Sequence, residues 1–432
     1  MVKSIKATFL AVVISGVSFA QSFDTVRVMT YNLLYYGQVT SFCPSNVNVI
    51  NDKDEYLKTI VHHVDPDLMV VNEMGASDVY AERILVKSLN TDGVSKYARV
   101  SIQNNSFSDL VNGVFYNKNK FAVHAKTKVE ENVNGSSIVR VIDIVTFYYK
   151  DPLLSANSDT TFVHIIAAHL KAGSNASDVT DRGLAAEAVM TYMQNNLQPG
   201  YYVMCGDLNL KTSNESAFQE LTSATYGDYK LIDPLNQLGT WNNSSAFSAI
   251  HTQSTRNTGS NSCFSGGGLD DRFDLILMSG QVMEDTGAVS YVQDSYKAVG
   301  NDGMHFNQDI NAGANTSVPA AVLTALYEMS DHLPVAADMK IKLIEADTTP
   351  ESIADLRLQN AVKVWQQMGD IRIDNKLDAM SYSLFNIAGD LVTNGRLKSG
   401  YQTLAAPQTA GVFILQCQST KGTIAKKIVI SH

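Results

Sequence analysis

Tyr201-Tyr202-Val203-Met204-Cys205 runs directly into Gly206-Asp207-Leu208-Asn209, and this junction decides how the chain is read. An apolar run of that length, with no charged residue to face water, is the pattern of a strand covered on both sides. The glycine permits a close turn at its end. The acid and the amide, two residues apart, point the same way if the segment stays extended. The acid suits a metal or an attacking water, and the amide can donate to a phosphate oxygen. Alone, such a motif is a turn about as often as a site.

The same arrangement, an apolar run that hands a polar side chain to a loop, recurs along the chain. Val28-Met29-Thr30-Tyr31 ends in Asn32, Leu68-Met69-Val70-Val71-Asn72 in Glu73, and Val163 to Ala168 in His169. Asp274 opens the run Leu275-Ile276, and Ser330-Asp331-His332 precedes Leu333-Pro334-Val335. Each has an ordinary explanation when taken singly: a turn asparagine, a solvated glutamate, a structural histidine. Gathered in one place, these carboxylates, carboxamides and histidines form the set that holds a hard divalent cation and hydrolyses a phosphate ester. Asn32, Glu73 and Asp331 would give an oxygen-rich site of the kind magnesium prefers and manganese tolerates, whereas zinc favours more nitrogen and sulfur. His169 and His332 add proton transfer near neutrality. A histidine base needs a carboxylate to orient it, and Asp274 is the best candidate. Asp270 and Asp271 sit on the glycine-rich loop and read as solvated.

The chain has 432 residues, too many for one ordinary domain, with 45% hydrophobic and 18% charged residues, as in globular proteins. A formal net charge of −10 argues against a basic surface that coats nucleic acid, though not against a local basic groove. Residues 1–20 read as a signal peptide: Lys3 and Lys6, the apolar Ala7 to Val17, then Ser18-Phe19-Ala20. No apolar run is long enough for a stable membrane span, so the expected location is secreted or on the cell surface. The cysteines show no metal-binding spacing. Cys205 reads as a core thiol. Cys43 and Cys263 lie in polar surroundings, where export would permit a disulfide; unpaired thiols are the other reading. Through about residue 345, strand and helix patterns alternate. Leu57, Ile60, Val61 and Val64 share a helix face that Asp65-Pro66-Asp67 ends, and Ser177 is a candidate cap for a helix bearing Val189, Tyr192, Met193 and Leu197. A linker is expected at 346–355, followed by a mostly β tail over 356–432 with strands near Ser381 to Phe385 and Val412 to Gln416.

In that order, Tyr31-Asn32, Asn72-Glu73, His169, Gly206-Asp207-Leu208-Asn209, Asp274 and Ser330-Asp331-His332 resemble the endonuclease/exonuclease/phosphatase superfamily, the deoxyribonuclease I-like fold. The resemblance covers about residues 24–345 within a domain drawn at 21–345. It implies a four-layer α/β sandwich and a Mg2+-dependent (Mn2+ possible) phosphoesterase, most readily a nuclease acting on nucleic acid. It implies Glu73 as principal metal ligand with Asn32 and Asp331 assisting. His332, oriented by Asp274, would be the base; Asp207 and Asn209 would position nucleophile and phosphate; His169 would stabilise developing charge. The stretch from Gly280 to Met329 is long for that connection. Tyr382 to Val392, Gly411 to Leu415 and Lys426 to Ile430 resemble the C-terminal sorting domain of the type IX secretion system, which implies that machinery as a partner. Rival readings are a sphingomyelinase-like phospholipase of the same superfamily and a non-catalytic surface-binding protein on the same scaffold.

Overall fold

The computed structural model describes residues 21–104, 108–154, 160–259, 263–345, 358–367 and 369–430. The expected signal peptide and linker lie outside the described residues. The chain divides into two compact units at Glu345/Ala346.

The larger unit holds two sheets. The first comprises β1 (Phe23–Tyr36), β2 (Leu68–Gly75), β3 (Tyr97–Arg99), β4 (Leu110–Asn117), β11 (Val289–Tyr291), β12 (Lys297–Ala298) and β13 (Val335–Lys342), ordered β11-β13-β1-β2-β4-β3 with β12 beside β13. The second comprises β5 (Phe121–Glu131), β6 (Ser137–Tyr149), β7 (Phe162–His169), β8 (Tyr201–Asp207), β9 (Leu231–Ile232) and β10 (Asp274–Ser279), ordered β5-β6-β7-β8-β10-β9. Side chains on a strand alternate between faces, and here both faces are apolar. Val26, Val28, Leu68, Val70, Ala337 and Met339 of the first sheet pack against Val163, Ile165, Val203, Cys205, Ile276 and Met278 of the second. The opposite face of the first sheet, with Met29, Tyr31, Met69 and Val71, is covered by helices Ile50–Val64 and Ala320–Met329. That of the second, with Ile166, Tyr202, Met204, Leu275 and Leu277, is covered by helices Ala176–Asn196 and Ser216–Leu221. The result is helix, sheet, sheet, helix, the four-layer sandwich expected, and it explains why these runs are apolar throughout.

Helix Ile50–Val64 ends at Asp65 in the left-handed conformation, as the Asp65-Pro66 break predicts. The cap of helix Ala176–Asn196 is Asn175 rather than Ser177: Asn175 and Asp178 form a reciprocal capping box, which satisfies two free backbone donors where a lone serine would satisfy one. Gly280 to Met329 is not loop alone; it supplies β11, β12 and the helix that covers β1 and β2. Gly206 has φ +147, and a Cβ there would meet the Ala168 carbonyl oxygen at 1.8 Å, so only glycine lets β7 and β8 run this close at the site. Among the described residues, no helix is long and apolar enough to cross a membrane.

The smaller unit is all β, with a three-stranded sheet (Val362–Gln367, Asp370–Asn375, Gly400–Ala405) and a four-stranded one (Leu391–Leu397, Met380–Asn386, Gly411–Ser419, Gly422–Ile430). They enclose a core of Val362, Ile371, Ile373, Leu384, Leu415 and Ile428.

Arg272, next to the head of β10, is fully buried and makes two 2.8 Å bonds to Asp233. Removing one partner of such a pair leaves an uncompensated buried charge. Arg272→Met is expected to cost about 3–5 kcal/mol in urea unfolding of the larger unit; a loss below about 1 kcal/mol would show that the pair is not a pillar of the fold.

Candidate active site

The site follows from strand register. In the second sheet His169 of β7 lies beside Asp207 of β8, and Asp207 lies beside Asp274 of β10, so the three side chains stand abreast at one sheet end. In the first sheet Asn32 pairs with Asn72 at the same ends of β1 and β2. Buried Asn72 joins the two sheets: its Nδ2 donates to the Ala168 carbonyl at 3.1 Å and to Asn112 Oδ1 at 2.9 Å, and its Oδ1 accepts from the Asp207 amide at 3.0 Å.

This gathers all eight residues singled out in the sequence. Asn32 Nδ2 donates to Asp207 Oδ2 at 2.9 Å and lies 3.5 Å from His332 Nε2. His169 Nε2 sits 3.4 Å from Asp207 Oδ2 and 3.9 Å from Glu73 Oε1. His332 Nδ1 contacts Asp274 Oδ2 at 2.7 Å, and its Nε2 lies 3.8 Å from Asp207 Oδ2. Asp331 accepts from the Ser265 amide at 2.9 Å on Oδ2, while its buried Oδ1 has no partner. Glu73 has φ +56 and Asn209 φ +52. Non-glycine residues persist in that conformation only where their surroundings over-determine it. Asp207-Leu208-Asn209 therefore does not stay extended. The Asp207 side chain accepts from the Asn209 amide at 3.0 Å, and the chain turns, leaving the Asn209 carboxamide 3.4 Å from the Leu170 carbonyl. Asp270 and Asp271 are half-buried rather than solvated; burial and the neighbouring Asp271 push Asp270 to about 6.

Charge separates the two histidines. Burial, with Arg140 and His332 nearby, holds His169 well below the ordinary histidine value, so it is neutral. Burial opposes charge on His332 too, but Asp274 and Asp207 together outweigh it and hold that ring well above the ordinary value. Burial and the Asp331 charge raise Glu73, and burial above all brings Asp207 to about 6. Such a crowd of desolvated carboxylates favours a cation among them. Ligand atoms of Glu73, His169 and Asp207 lie within 4.8 Å of one another.

Three contributors carried no sequence signal. Gln253 Nε2 lies 2.7 Å from His332 Nε2 and 3.4 Å from Asp331 Oδ2. Buried Lys53 donates to the Leu33 and Leu34 carbonyls, and burial lowers it to about 7 against the pull of Asp331 and Glu73. Arg140 lines a cavity of about 240 Å³ beside His169, together with Asn132, Asn134 and Lys171, and its buried Nε has no partner.

A model of the family described as Endonuclease/Exonuclease/phosphatase family matches residues 29–332. No curated protein sequence matches the chain. Among solved structures, the chain is similar to an endonuclease/exonuclease/phosphatase from Beutenbergia cavernae DSM 12333 (17% identity, covering 93% of this chain and 99% of that one, TM-score 0.44). It is also similar to the human Nocturnin catalytic domain with bound sulfate (13%, 74% and 98%, TM-score 0.44) and to D. rerio TDP2 complexed with a single-strand DNA product (13%, 73% and 98%, TM-score 0.44).

The two histidines bear oppositely on stability. His332, raised in the fold, contributes stability that is present below about pH 6.5 and lost as pH rises through its folded value. His169, depressed in the fold, makes the fold lose stability as pH falls below that range. Imidazole NMR of the metal-free protein is expected to show His332 titrating above 6.5, His169 neutral well below it, and Asp274→Asn returning His332 toward the ordinary value. Both rings titrating together near 6.5 would contradict this.

Proposed function

The chain belongs to the endonuclease/exonuclease/phosphatase family, and on that premise we propose that it is a divalent-metal-dependent phosphoesterase, acting as a nuclease on phosphodiester bonds. The observation that carries this is the 2.7 Å His332–Asp274 contact next to the Glu73–His169–Asp207 cluster. Asp274 orients the ring, and His332 Nε2, in the unprotonated form of the ring, takes the proton of the attacking water. Asp207 and Asn209 position water and phosphate. His169, held neutral, stabilises developing charge as a hydrogen-bond donor rather than as a cation.

The donor set fits a hard cation. It is rich in oxygen, its carboxylates are desolvated, and Asp331 Oδ1 is buried without a partner. Glu73 would hold Mg2+ or Mn2+, with Asn32 and Asp331 assisting. Such an ion neutralises charge on the phosphoryl oxygens when bound.

A phospholipase of the same family is the second reading, favoured by Val39 and Phe42, which are 57% and 54% exposed on the loop after β1. Trp241, by contrast, is fully buried and can dock on no lipid. A non-catalytic binding protein is disfavoured by the intact acid and histidine set. We also propose export, which the Cys43–Cys263 disulfide supports, and a sorting role for the tail with the type IX secretion machinery as partner.

Glu73→Gln is expected to abolish most Mg2+-dependent cleavage of plasmid DNA or RNA and to weaken Mn2+ binding, with the fold retained by circular dichroism. His332→Ala should lose at least about 10²–10⁴-fold in kcat. Hydrolysis of sphingomyelin but not of either nucleic acid would overturn the nuclease reading, and full turnover in excess chelator would overturn the metal. A chain ending at Glu345 should keep the activity of the full-length protein; loss of activity with that truncation would make the tail part of the enzyme.

A further inference from the structure

Two loops that flank the site are joined by a covalent bond. Cys43 and Cys263, 220 residues apart, are joined as a disulfide with Cα atoms 4.4 Å apart. Both are buried and pack with Leu34, Phe264, Tyr35 and Val47. Cys43 lies on the loop after β1, and Cys263 on the loop before β10. The bond has two arms, and each ends on a different ligand candidate.

The first arm runs back along the β1 loop. Thr40 and Cys43 bond each other twice, by Cys43 N to Thr40 Oγ1 and by Thr40 N to Cys43 O. Gln38 N donates to the Tyr35 carbonyl. Asn48 Nδ2 then ties the Tyr35 and Gln38 carbonyls together at 2.7 and 3.0 Å. Leu34 and Tyr35 are both left-handed, with φ +46 and +53, a conformation two successive non-glycine residues keep only under outside restraint. In it, Leu34 N reaches Asn32 Oδ1 at 2.9 Å, and Tyr35 N reaches Glu73 Oε2 at 3.2 Å. The second arm is shorter. Ser265, two residues beyond Cys263, donates its amide to Asp331 Oδ2 at 2.9 Å, and its carbonyl accepts from Ser254 Oγ at 2.6 Å.

The two arms thus grip Glu73 and Asn32 on one side and Asp331 on the other. Ionised carboxylates turned toward one cation carry like charge. Like charges that are free to separate will do so, and a cation must then draw them together again at a cost in affinity. A restraint that holds them close before binding removes that cost.

We propose that the Cys43–Cys263 disulfide is a positioning element of the cation site: it sets the spacing of Glu73 and Asp331, so tight divalent-cation binding requires the oxidised chain. This rests on the reading that Glu73 and Asp331 face a cation. Reduction by dithiothreitol delivers two electrons and two protons, converting the disulfide to two thiols and the reagent to its cyclic disulfide. A bond that only cross-links the chain would raise its unfolding temperature and leave cation affinity unchanged.

The test is an Mn2+ titration followed by electron paramagnetic resonance of the free ion. It uses the full-length protein in four forms: oxidised; reduced and freed of reagent under argon; reduced and reoxidised; and Cys43→Ala/Cys263→Ala. All are measured well below the unfolding temperature of each form. The dissociation constant is expected to rise at least about tenfold in the reduced and double-variant proteins, and to recover on reoxidation. Should neither reduced nor variant chain stay folded, Ser265→Pro keeps the disulfide and removes the N–H to Asp331; it is expected to weaken binding severalfold. Equal affinity in oxidised and reduced chains, or in Ser265→Pro where that variant is needed, overturns the proposal and leaves the cation reading standing. No Mn2+ binding by the oxidised chain overturns both.

Discussion

The carboxamide of Asn72 is the constraint on which the site depends. It belongs to one sheet and bonds the backbone of two strands of the other, at Ala168 and Asp207. Apolar packing between sheets is non-directional and by itself selects no single register. A buried amide with both ends satisfied does, because each broken bond strands a desolvated polar group at a cost of about 1–3 kcal/mol. The sandwich core therefore brings the sheets together, and Asn72 locks them where Asn32 and Glu73 meet His169, Asp207 and Asp274.

With the sheets locked, environment assigns the chemistry. Two histidines within reach of the same Asp207 carboxylate are driven in opposite directions. Burial, with Arg140 nearby, keeps His169 neutral; His332 has Asp274 at 2.7 Å and is biased toward its cation. Pairs of titratable groups pushed apart in this way mark the division between proton carrier and fixed donor. The carboxylates tell the same story from the other sign: burial raises Glu73 and Asp207, so the arrangement gains from a positive ion.

The loops do what the strands cannot. Strand ends fix one coordinate of each side chain, while the positions of Asp331 and of the loop beside Glu73 are set by segments with no regular structure. Those segments are held by hydrogen bonds to Gln253 and Ser265, by Lys53 beneath the Leu33 and Leu34 carbonyls, and by the Cys43–Cys263 bond. This end of the molecule carries buried polar groups and left-handed residues that only a closed network can stabilise.

The sequence by itself determined the covered strands and the roster of their polar ends, while the four-layer sandwich was what the family resemblance implied. A strand covered on both faces must be apolar throughout, so Leu68 to Val71, Val163 to Ala168 and Tyr201 to Cys205 announce themselves, and the polar residue that ends each run stands out against it. Tertiary structure alone decided how those residues meet. Register, a non-local property, set His169, Asp207 and Asp274 abreast. The turn at Asn209 followed from a bond to Asp207 where extension was the local expectation, and Asn175 displaced Ser177 as cap because it could pair reciprocally with Asp178. Gln253, Lys53 and Arg140 were illegible, since a polar residue in a loop, helix or strand looks the same whether it faces water or a buried carboxylate. Cys43 and Cys263 could be suspected but not joined, because 220 intervening residues carry no local record of where their ends will meet.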